Sequence, residues 1–205
     1  SCYQINMSDI NQLISIIIPV FNESESIVFL IDEVINVMGA NKFNFELIVV
    51  NDGSKDDTYQ VLKQLTLRIA ELSVICLRKN YGQTAAMAAG FDNSKGDIVI
   101  TLDGDLQNDP KDIPKLISEI NNGYDLICGW RFDRKDKLIN RKIPSKIANK
   151  LIAKVTGLKL HDYGCSLKAF KREIIDDIKL YGELHRFLPV LANIEGARIK
   201  EIKVN

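Results

Sequence analysis

Ile98-Val99-Ile100-Thr101-Leu102-Asp103-Gly104-Asp105-Leu106-Gln107 is a short β-branched run that breaks at once into two carboxylates one residue apart. A run of this composition reads as a strand buried on both faces of a parallel sheet. Two more of the same kind lie upstream, Ile14-Ser15-Ile16-Ile17-Ile18-Pro19-Val20 and Phe45-Glu46-Leu47-Ile48-Val49-Val50, with further candidate strands at Ser73 to Leu77 and Tyr124 to Cys128. Between them apolar residues recur at helical spacing. Ser24 to Met38 puts Ile27, Leu30, Ile31, Val34, Ile35 and Met38 on one stripe, and Asp56 to Ala70 does the same with Tyr59, Leu62, Leu65 and Ile69. Helices are also expected near Thr84 to Asn93 and Ile113 to Asn121. Strand and helix alternate, which predicts an α/β fold with a Rossmann-like, mostly parallel sheet flanked by helices on both faces.

The 205 residues, 46% hydrophobic and 26% charged, suffice for one large α/β domain and exclude a disordered or fibrous chain. Residues 13–205 read as that domain and residues 1–12 as an N-terminal extension without the basic and apolar regions of a signal peptide. The longest apolar run, Ile14 to Phe21, is interrupted by Ser15 and Pro19. It falls far short of the roughly 18 residues that span a bilayer, so no transmembrane helix is expected. The 27 basic and 27 acidic residues cancel, and global charge supplies no argument for nucleic acid. Cys2, Cys76, Cys128 and Cys165 are scattered and read as reduced cytoplasmic thiols rather than a disulfide framework or zinc site.

In a sheet of this kind ligands bind beyond the carboxyl ends of the strands. The residues there are polar: Phe21-Asn22-Glu23 after the first strand, Asn51-Asp52-Gly53-Ser54 after the second, Asp103 to Gln107 after the fourth and Gly129-Trp130-Arg131 after the fifth. Singly, Asn22, Ser24 and Asp52 read equally well as helix caps and Gly53 as a turn. As a set they point to one rim. Asp103 and Asp105 are spaced to reach a single hard cation, Mg²⁺ or Mn²⁺, with Gln107 as a third oxygen and a substrate diphosphate as co-ligand. There is no GxGxxG after the first strand and no GxxxxGK[ST], so neither a dinucleotide dehydrogenase nor a P-loop phosphotransferase is supported.

One segment breaks the charge balance. From Arg131 to Lys159 ten basic residues stand against Asp133 and Asp136, a net charge of +8. Lys142, Lys146, Lys150 and Lys154 recur every fourth residue, as do Ile143, Ile147, Leu151 and Val155, the pattern of a basic amphipathic helix. Such a helix can lie on an anionic membrane surface and receive a lipid phosphate, or simply present a solvated face.

Pro19-Val20-Phe21-Asn22-Glu23, Asp52-Gly53-Ser54 with Asp56 and Thr58, Arg78-Lys79-Asn80-Tyr81-Gly82, and Asp103-Gly104-Asp105-Leu106-Gln107 with Asp109-Pro110 stand in an order that resembles the family 2 inverting glycosyltransferases of GT-A fold. The likeness is to the polyprenyl-phosphate glycosyltransferases typified by dolichyl-phosphate mannose synthase. Asn80-Tyr81-Gly82-Gln83 and Asp162-Tyr163-Gly164-Cys165 look like the bacterial members. The resemblance implies that Pro19, Phe21, Glu23 and Asp52 surround the nucleobase and ribose. It also implies that Asp103, Asp105 and Gln107 hold the metal on the diphosphate, with Gly104 between them, and that Arg131 lies near donor phosphate. Where the family often has Tyr, this chain has Phe21, which keeps stacking and loses a phenolic hydrogen bond.

The implied reaction moves a sugar from a UDP- or GDP-linked donor to a polyprenyl phosphate at the cytoplasmic face of a membrane, with homo-oligomerisation as a further expectation. Arg131 and Arg134 would bridge the two phosphates, Asp162 would act as base or positioning residue, and Arg134, Arg141, Lys142, Lys146 and Arg186 would face the acceptor phosphate and membrane. Relatives in the family continue beyond the equivalent of Asn205 into a basic loop and usually transmembrane helices, so a truncated soluble fragment is expected here. A saccharide acceptor and a non-catalytic nucleotide-sugar-binding subunit are the alternative readings.

Overall fold

The computed structural model describes residues 12–132, 158–177 and 188–205. Its centre is β1 (Leu13–Val20), in which Ser15 and the isoleucines from Ile14 to Ile18 are all buried. β1 pairs in parallel with β2 (Asn44–Asn51) on one side and β4 (Ile98–Thr101) on the other, and β3 (Leu72–Cys76) extends the sheet beyond β2. A strand flanked on both edges and covered on both faces has no polar environment left, which is why its sequence is a nearly unbroken β-branched run.

Helices α1 (Ile27–Ala40), α2 (Thr58–Thr66) and α4 (Ile113–Asn121) cover one face, burying Leu30, Ile31, Leu62, Leu116 and Ile120 against it. On the other face lie α3 (Gln83–Asn93), α5 (Arg172–Asp177) and α6 (Leu188–Ile194), which contribute Met87, Phe91, Ile175 and Leu188. Each fully buried side chain of this size contributes roughly 1.5–3 kcal/mol. α3 lies especially close to the sheet, because a Cβ on Gly90 would come within 2.3 Å of Ile17 Cγ2. That close approach brings the start of α3 down beside the ends of β2 and β4.

Beyond β4 the sheet changes direction. β6 (Lys168–Lys171) lies antiparallel between β4 and β5 (Leu126–Arg131), and β7 (Ile199–Val204) pairs in parallel with β5. Among the described residues the strand order is β3-β2-β1-β4-β6-β5-β7. Because β6 runs backwards, its first residue, Lys168, sits beside Thr101 and Cys128 at the carboxyl rim. The segment leading into it, from Asp162 to Leu167, is thereby carried across that rim.

The predicted mostly parallel sheet with helices on both faces is therefore present, with corrections. Gly129-Trp130-Arg131, read as following the fifth strand, belongs to β5 itself, since pairing with β7 continues as far as Arg131. Tyr59, assigned to the buried stripe of its helix, is 47% exposed; α2 ends at Thr66 and buries Thr58, Leu62 and Leu65 instead. Ser24 is not the cap of α1, which begins at Ile27 after Ser26 without a side-chain cap bond. β6, β7 and α5 had no counterpart in the sequence reading. No helix among the described residues is long and apolar enough to cross a membrane. The basic segment after Phe132 lies outside the described residues up to position 157.

Candidate active site

The ends of β1, β2 and β4 and the start of α3 enclose a cleft of about 260 Å³. Pro19, Phe21 and Glu23 reach it from β1, Asp52 from β2, and Asp103, Gly104 and Asp105 from β4. The turn into α3 closes the cleft with Asn80, Gly82 and Gln83.

Asp52 is only 3% exposed, and both its oxygens are engaged. Oδ1 accepts the Tyr81 N–H and Oδ2 the Gly82 N–H, each at 2.8 Å. These amides lead into α3, so the carboxylate lies at the positive end of a helix dipole. Asp52 thus shapes the cleft wall, while each oxygen keeps a further lone pair that can accept a ligand N–H. Gly53, the next residue, has φ +68°, and a Cβ there would fall 2.4 Å from the Lys79 carbonyl carbon. Only glycine lets these two loops touch.

The loop after β1 is tied down equally tightly. Asn22, in the left-handed region at φ 56°, donates its N–H to Ser54 Oγ at 2.9 Å, and its Oδ1 accepts the Lys55 N–H at 2.8 Å. The Glu23 N–H donates to Thr58 Oγ1 at 2.9 Å, and its carboxylate accepts the Ser26 hydroxyl. Burial works against a charge on Asp56, yet hydrogen bonds from Thr58 and Ser24 hold its carboxyl down at about 2. Three loops cross-linked in this way present a preorganised rim, which lowers the cost of ordering a bound ligand.

Asp103 and Asp105 flank Gly104 at the end of β4. Asp103 Oδ1 accepts Gln83 Nε2 at 2.5 Å. Asp105 Oδ1 accepts the Gln107 N–H at 3.1 Å across Leu106, whose φ of 60° closes a tight turn. Burial pushes the Asp103 carboxyl above the usual range and the Asp105 charge adds to this, against a hydrogen bond from Ser166 and the charges of Lys168 and Arg131. Two carboxylates that repel one another beside a polar cleft suit a divalent cation, which removes the repulsion. Among the described residues no three His, Cys, Asp or Glu side chains gather as a metal-binding group. A cation here would accordingly draw further oxygens from Gln107 and a bound substrate, and the donor set fits Mg²⁺ or Mn²⁺.

An Asp whose folded value is raised binds its proton more tightly in the folded state, so its effect on stability improves as pH falls through that folded value. Asp103→Asn fixes the neutral form. Thermal unfolding without metal should therefore show Asp103→Asn melting above the wild type at neutral pH, by about 2–4 °C for each kcal/mol gained. The difference should narrow in acid.

Arg131, at the end of β5, forms a two-pronged pair with Asp162: Nε to Oδ2 at 2.9 Å and Nη2 to Oδ1 at 3.2 Å. The two side chains are 10% and 15% exposed. Burial alone would lower the Arg131 guanidinium, but the hydrogen bond and charge of Asp162 keep it above its ordinary value. Arg131 Nη1 donates to Gln107 Oε1 at 3.2 Å, so the arginine stands one side chain away from the acidic pair. Gln107, read as a metal ligand, has its carbonyl engaged by Arg131 here.

The structure thus gathers Pro19, Phe21, Glu23, Asp52, Asp103, Gly104 and Asp105 at one cleft and ties Arg131, Asp162 and Gln107 to its edge. Arg134, Arg141, Lys142, Lys146 and Arg186 lie outside the described residues. Sequence reading placed Gln83 in a motif without giving it a role, and missed Ser166 and Lys168. Lys168 is 4% exposed and donates to the Cys165 carbonyl, while Ser166 Oγ accepts Asn108 Nδ2 at 2.8 Å. Gln83 ends one motif already singled out and Ser166 adjoins another, which was the available signal. A lysine in Lys-Ala-Phe-Lys carries none.

A mostly parallel sheet with an antiparallel insertion and an acidic pair at its rim is the GT-A architecture of glycosyltransferases. In agreement, residues 15–179 match Glycosyl transferase family 2, and the chain belongs to that family. It is 48% identical over 200 residues to dodecaprenyl-phosphate galacturonate synthase of Rhizobium johnstonii, covering 93% of this chain and 58% of that one. It is 40% identical over 200 residues to undecaprenyl-phosphate 4-deoxy-4-formamido-L-arabinose transferase of Aeromonas hydrophila, covering 97% and 61%. The chain therefore spans about three-fifths of the length of these relatives. Among solved structures, glucosyl-3-phosphoglycerate synthase from Mycobacterium tuberculosis, in complex with Mn²⁺, UDP and phosphoglyceric acid, superposes with a TM-score of 0.72 at 20% identity. That superposition covers 94% of this chain and 69% of the other.

Proposed function

We propose that this chain is the catalytic domain of an inverting glycosyltransferase that moves a sugar from a UDP- or GDP-linked donor onto a polyprenyl phosphate, with Mg²⁺ or Mn²⁺ bound by Asp103, Asp105 and Gln107. The observation that carries this reading is the connection of the acidic pair, through Gln107, to the Arg131–Asp162 pair. An anionic donor and an anionic acceptor need such an arrangement side by side. The curated relatives support the acceptor, since both are named for transfer to a polyprenyl phosphate.

The metal would supply charge stabilisation for the leaving nucleoside diphosphate. The protein's own share is positioning. A phosphate monoester has its second pKa near 6, so the attacking oxygen is already substantially ionised at neutral pH and needs no strong base. Asp162, locked on Arg131 through both oxygens, accordingly serves as the orienting partner of the guanidinium. Arg131 Nη1, which donates to Gln107 here, is placed to bind a phosphate oxygen, and the Gln107 carbonyl would then be available with the two carboxylates to hold the cation. Phe21 stacks on the nucleobase, and the remaining lone pairs of Asp52 accept its ring N–H.

Trp130 weighs against a saccharide acceptor, since the His161 ring is stacked on it at 4.1 Å and 14°, leaving less aromatic surface for a sugar. The acceptor phosphate and membrane surface are assigned to Arg134, Arg141, Lys142, Lys146 and Arg186, at the cytoplasmic face where nucleotide sugars are available.

Thermal unfolding with UDP, GDP and their sugar conjugates, in Mn²⁺ or in EDTA, tests the donor site. A ligand present at a hundred times its Kd adds about 2.7 kcal/mol, or roughly 5–10 °C for a domain of this size. The expected result is a shift of that order with one nucleotide family, lost in EDTA. No shift with any nucleotide would sink the assignment.

A further inference from the structure

The edge strand β7 carries a carboxylate that the proposed chemistry does not use. Glu201 is 39 residues distant in sequence from Asp162 and 98 from Asp103, yet its side chain is only 9% exposed. Its Oε1 accepts two successive backbone N–H groups, His161 at 2.8 Å and Asp162 at 2.9 Å. Its Oε2 lies 3.0 Å from the His161 N–H and 2.6 Å from His161 Nδ1. A carboxylate only accepts, so Nδ1 carries the proton in this contact. The same imidazole is stacked on Trp130, which is the neighbour of Arg131 on β5.

We propose that Glu201 is a positioning residue that holds the backbone at Asp162, and through Asp162 sets the Arg131 guanidinium against the Asp103–Asp105 turn. This inference rests on the transferase reading above and extends it to a residue far from the cleft. The route is continuous: Glu201 to the Asp162 N–H, the Asp162 carboxylate to Arg131 Nε and Nη2, Arg131 Nη1 to Gln107 Oε1, and the Gln107 N–H to Asp105 Oδ1. The strand register explains why the tie comes from β7. Glu201 stands opposite Cys128, three positions before Arg131 on the paired strand, so a loop lying over the end of β5 is within its reach. Hydrogen bonds to a charged acceptor are shorter and stronger than neutral ones, which suits a carboxylate to fixing two amides of a loop that makes no regular secondary structure.

The test compares the wild-type enzyme with Glu201→Ala and Glu201→Gln, measuring kcat, KM for the nucleotide sugar, binding of Mn²⁺ with UDP, and the melting temperature. A displacement of about 1 Å in a positioning group can lower turnover about 100-fold. Glu201→Ala should lower kcat by roughly 10- to 100-fold, with donor KM and UDP binding within about twofold of wild type. Glu201→Gln keeps one carbonyl oxygen for the two amides and should recover most of the lost turnover. It also serves as the folded comparison if the alanine variant is poorly soluble. Unchanged kcat in Glu201→Ala overturns the proposal. So does a loss that glutamine does not restore, or one matched by an equal weakening of UDP binding, because either marks a purely structural residue. Absence of transfer by the wild type would instead sink the transferase reading, and this inference with it.

Discussion

Asp105→Ala is expected to lower kcat by about 1,000-fold and to abolish the Mn²⁺-dependent stabilisation by nucleotide, since one group stabilising developing charge is worth about that factor. The fold should survive. Asp105 is exposed, and its carboxylate accepts the Gln107 N–H within a surface turn. Losing that bond costs about 1 kcal/mol, a fall of roughly 2–4 °C in melting temperature. The variant therefore separates function from stability, and steady-state turnover with Mn²⁺ or EDTA reads the first while calorimetry reads the second. Retained metal-dependent turnover in Asp105→Ala would remove the acidic pair from the mechanism.

Arg131→Ala should damage both. Removing one partner of a largely buried ion pair leaves the other charge uncompensated, and Asp162 is only 15% exposed. The loss is about 3 kcal/mol, or roughly 6–12 °C in melting temperature. Turnover should fall by about 100- to 1,000-fold as the phosphate contact disappears. Arg131→Lys keeps the charge but not the fork, since a single ammonium cannot make the parallel Nε and Nη2 contacts to Asp162 while a third nitrogen reaches Gln107. It should recover part of the stability and little of the turnover. A melting temperature unchanged in Arg131→Ala would show that the pair adds nothing to the fold.

The parts of this protein legible in its sequence are those whose cause lies in consecutive residues. Ile14 to Val20, Phe45 to Val50 and Ile98 to Thr101 read as buried strands because both faces of β1, β2 and β4 are covered, so no polar alternation interrupts them. Helix α4 spans the expected Ile113–Asn121, with Pro114 in its first turn and Asn122 as its C-cap. The acidic pair was legible because its two carboxylates need only the i, i+2 spacing at a strand's end.

Other features depended on partners brought from far along the chain. Arg131 was read as lying past its strand, because only pairing with β7 shows that β5 runs on to that residue. Lys-Ala-Phe-Lys gave no sign of being β6, since a four-residue run with lysine at both ends lacks the apolar pattern of a buried strand. Yet its backward direction is what carries Asp162 and Ser166 over the rim. Asp52 was read as a ligand acceptor from its place after β2, but its bonds to Tyr81 and Gly82 follow from how α3 docks on β1.

Sequence by itself determined the layered α/β fold, the rim on which chemistry is placed and the carboxylates that define it, because burial, helical period and motif spacing are local properties of the chain. Tertiary structure alone decided that Gln83 braces Asp103, that Asp162 clamps Arg131 and that Glu201 holds the loop at Asp162. Those contacts join residues 20, 31 and 39 positions apart, and their existence depends on strand order, direction and register, which no short window of sequence contains.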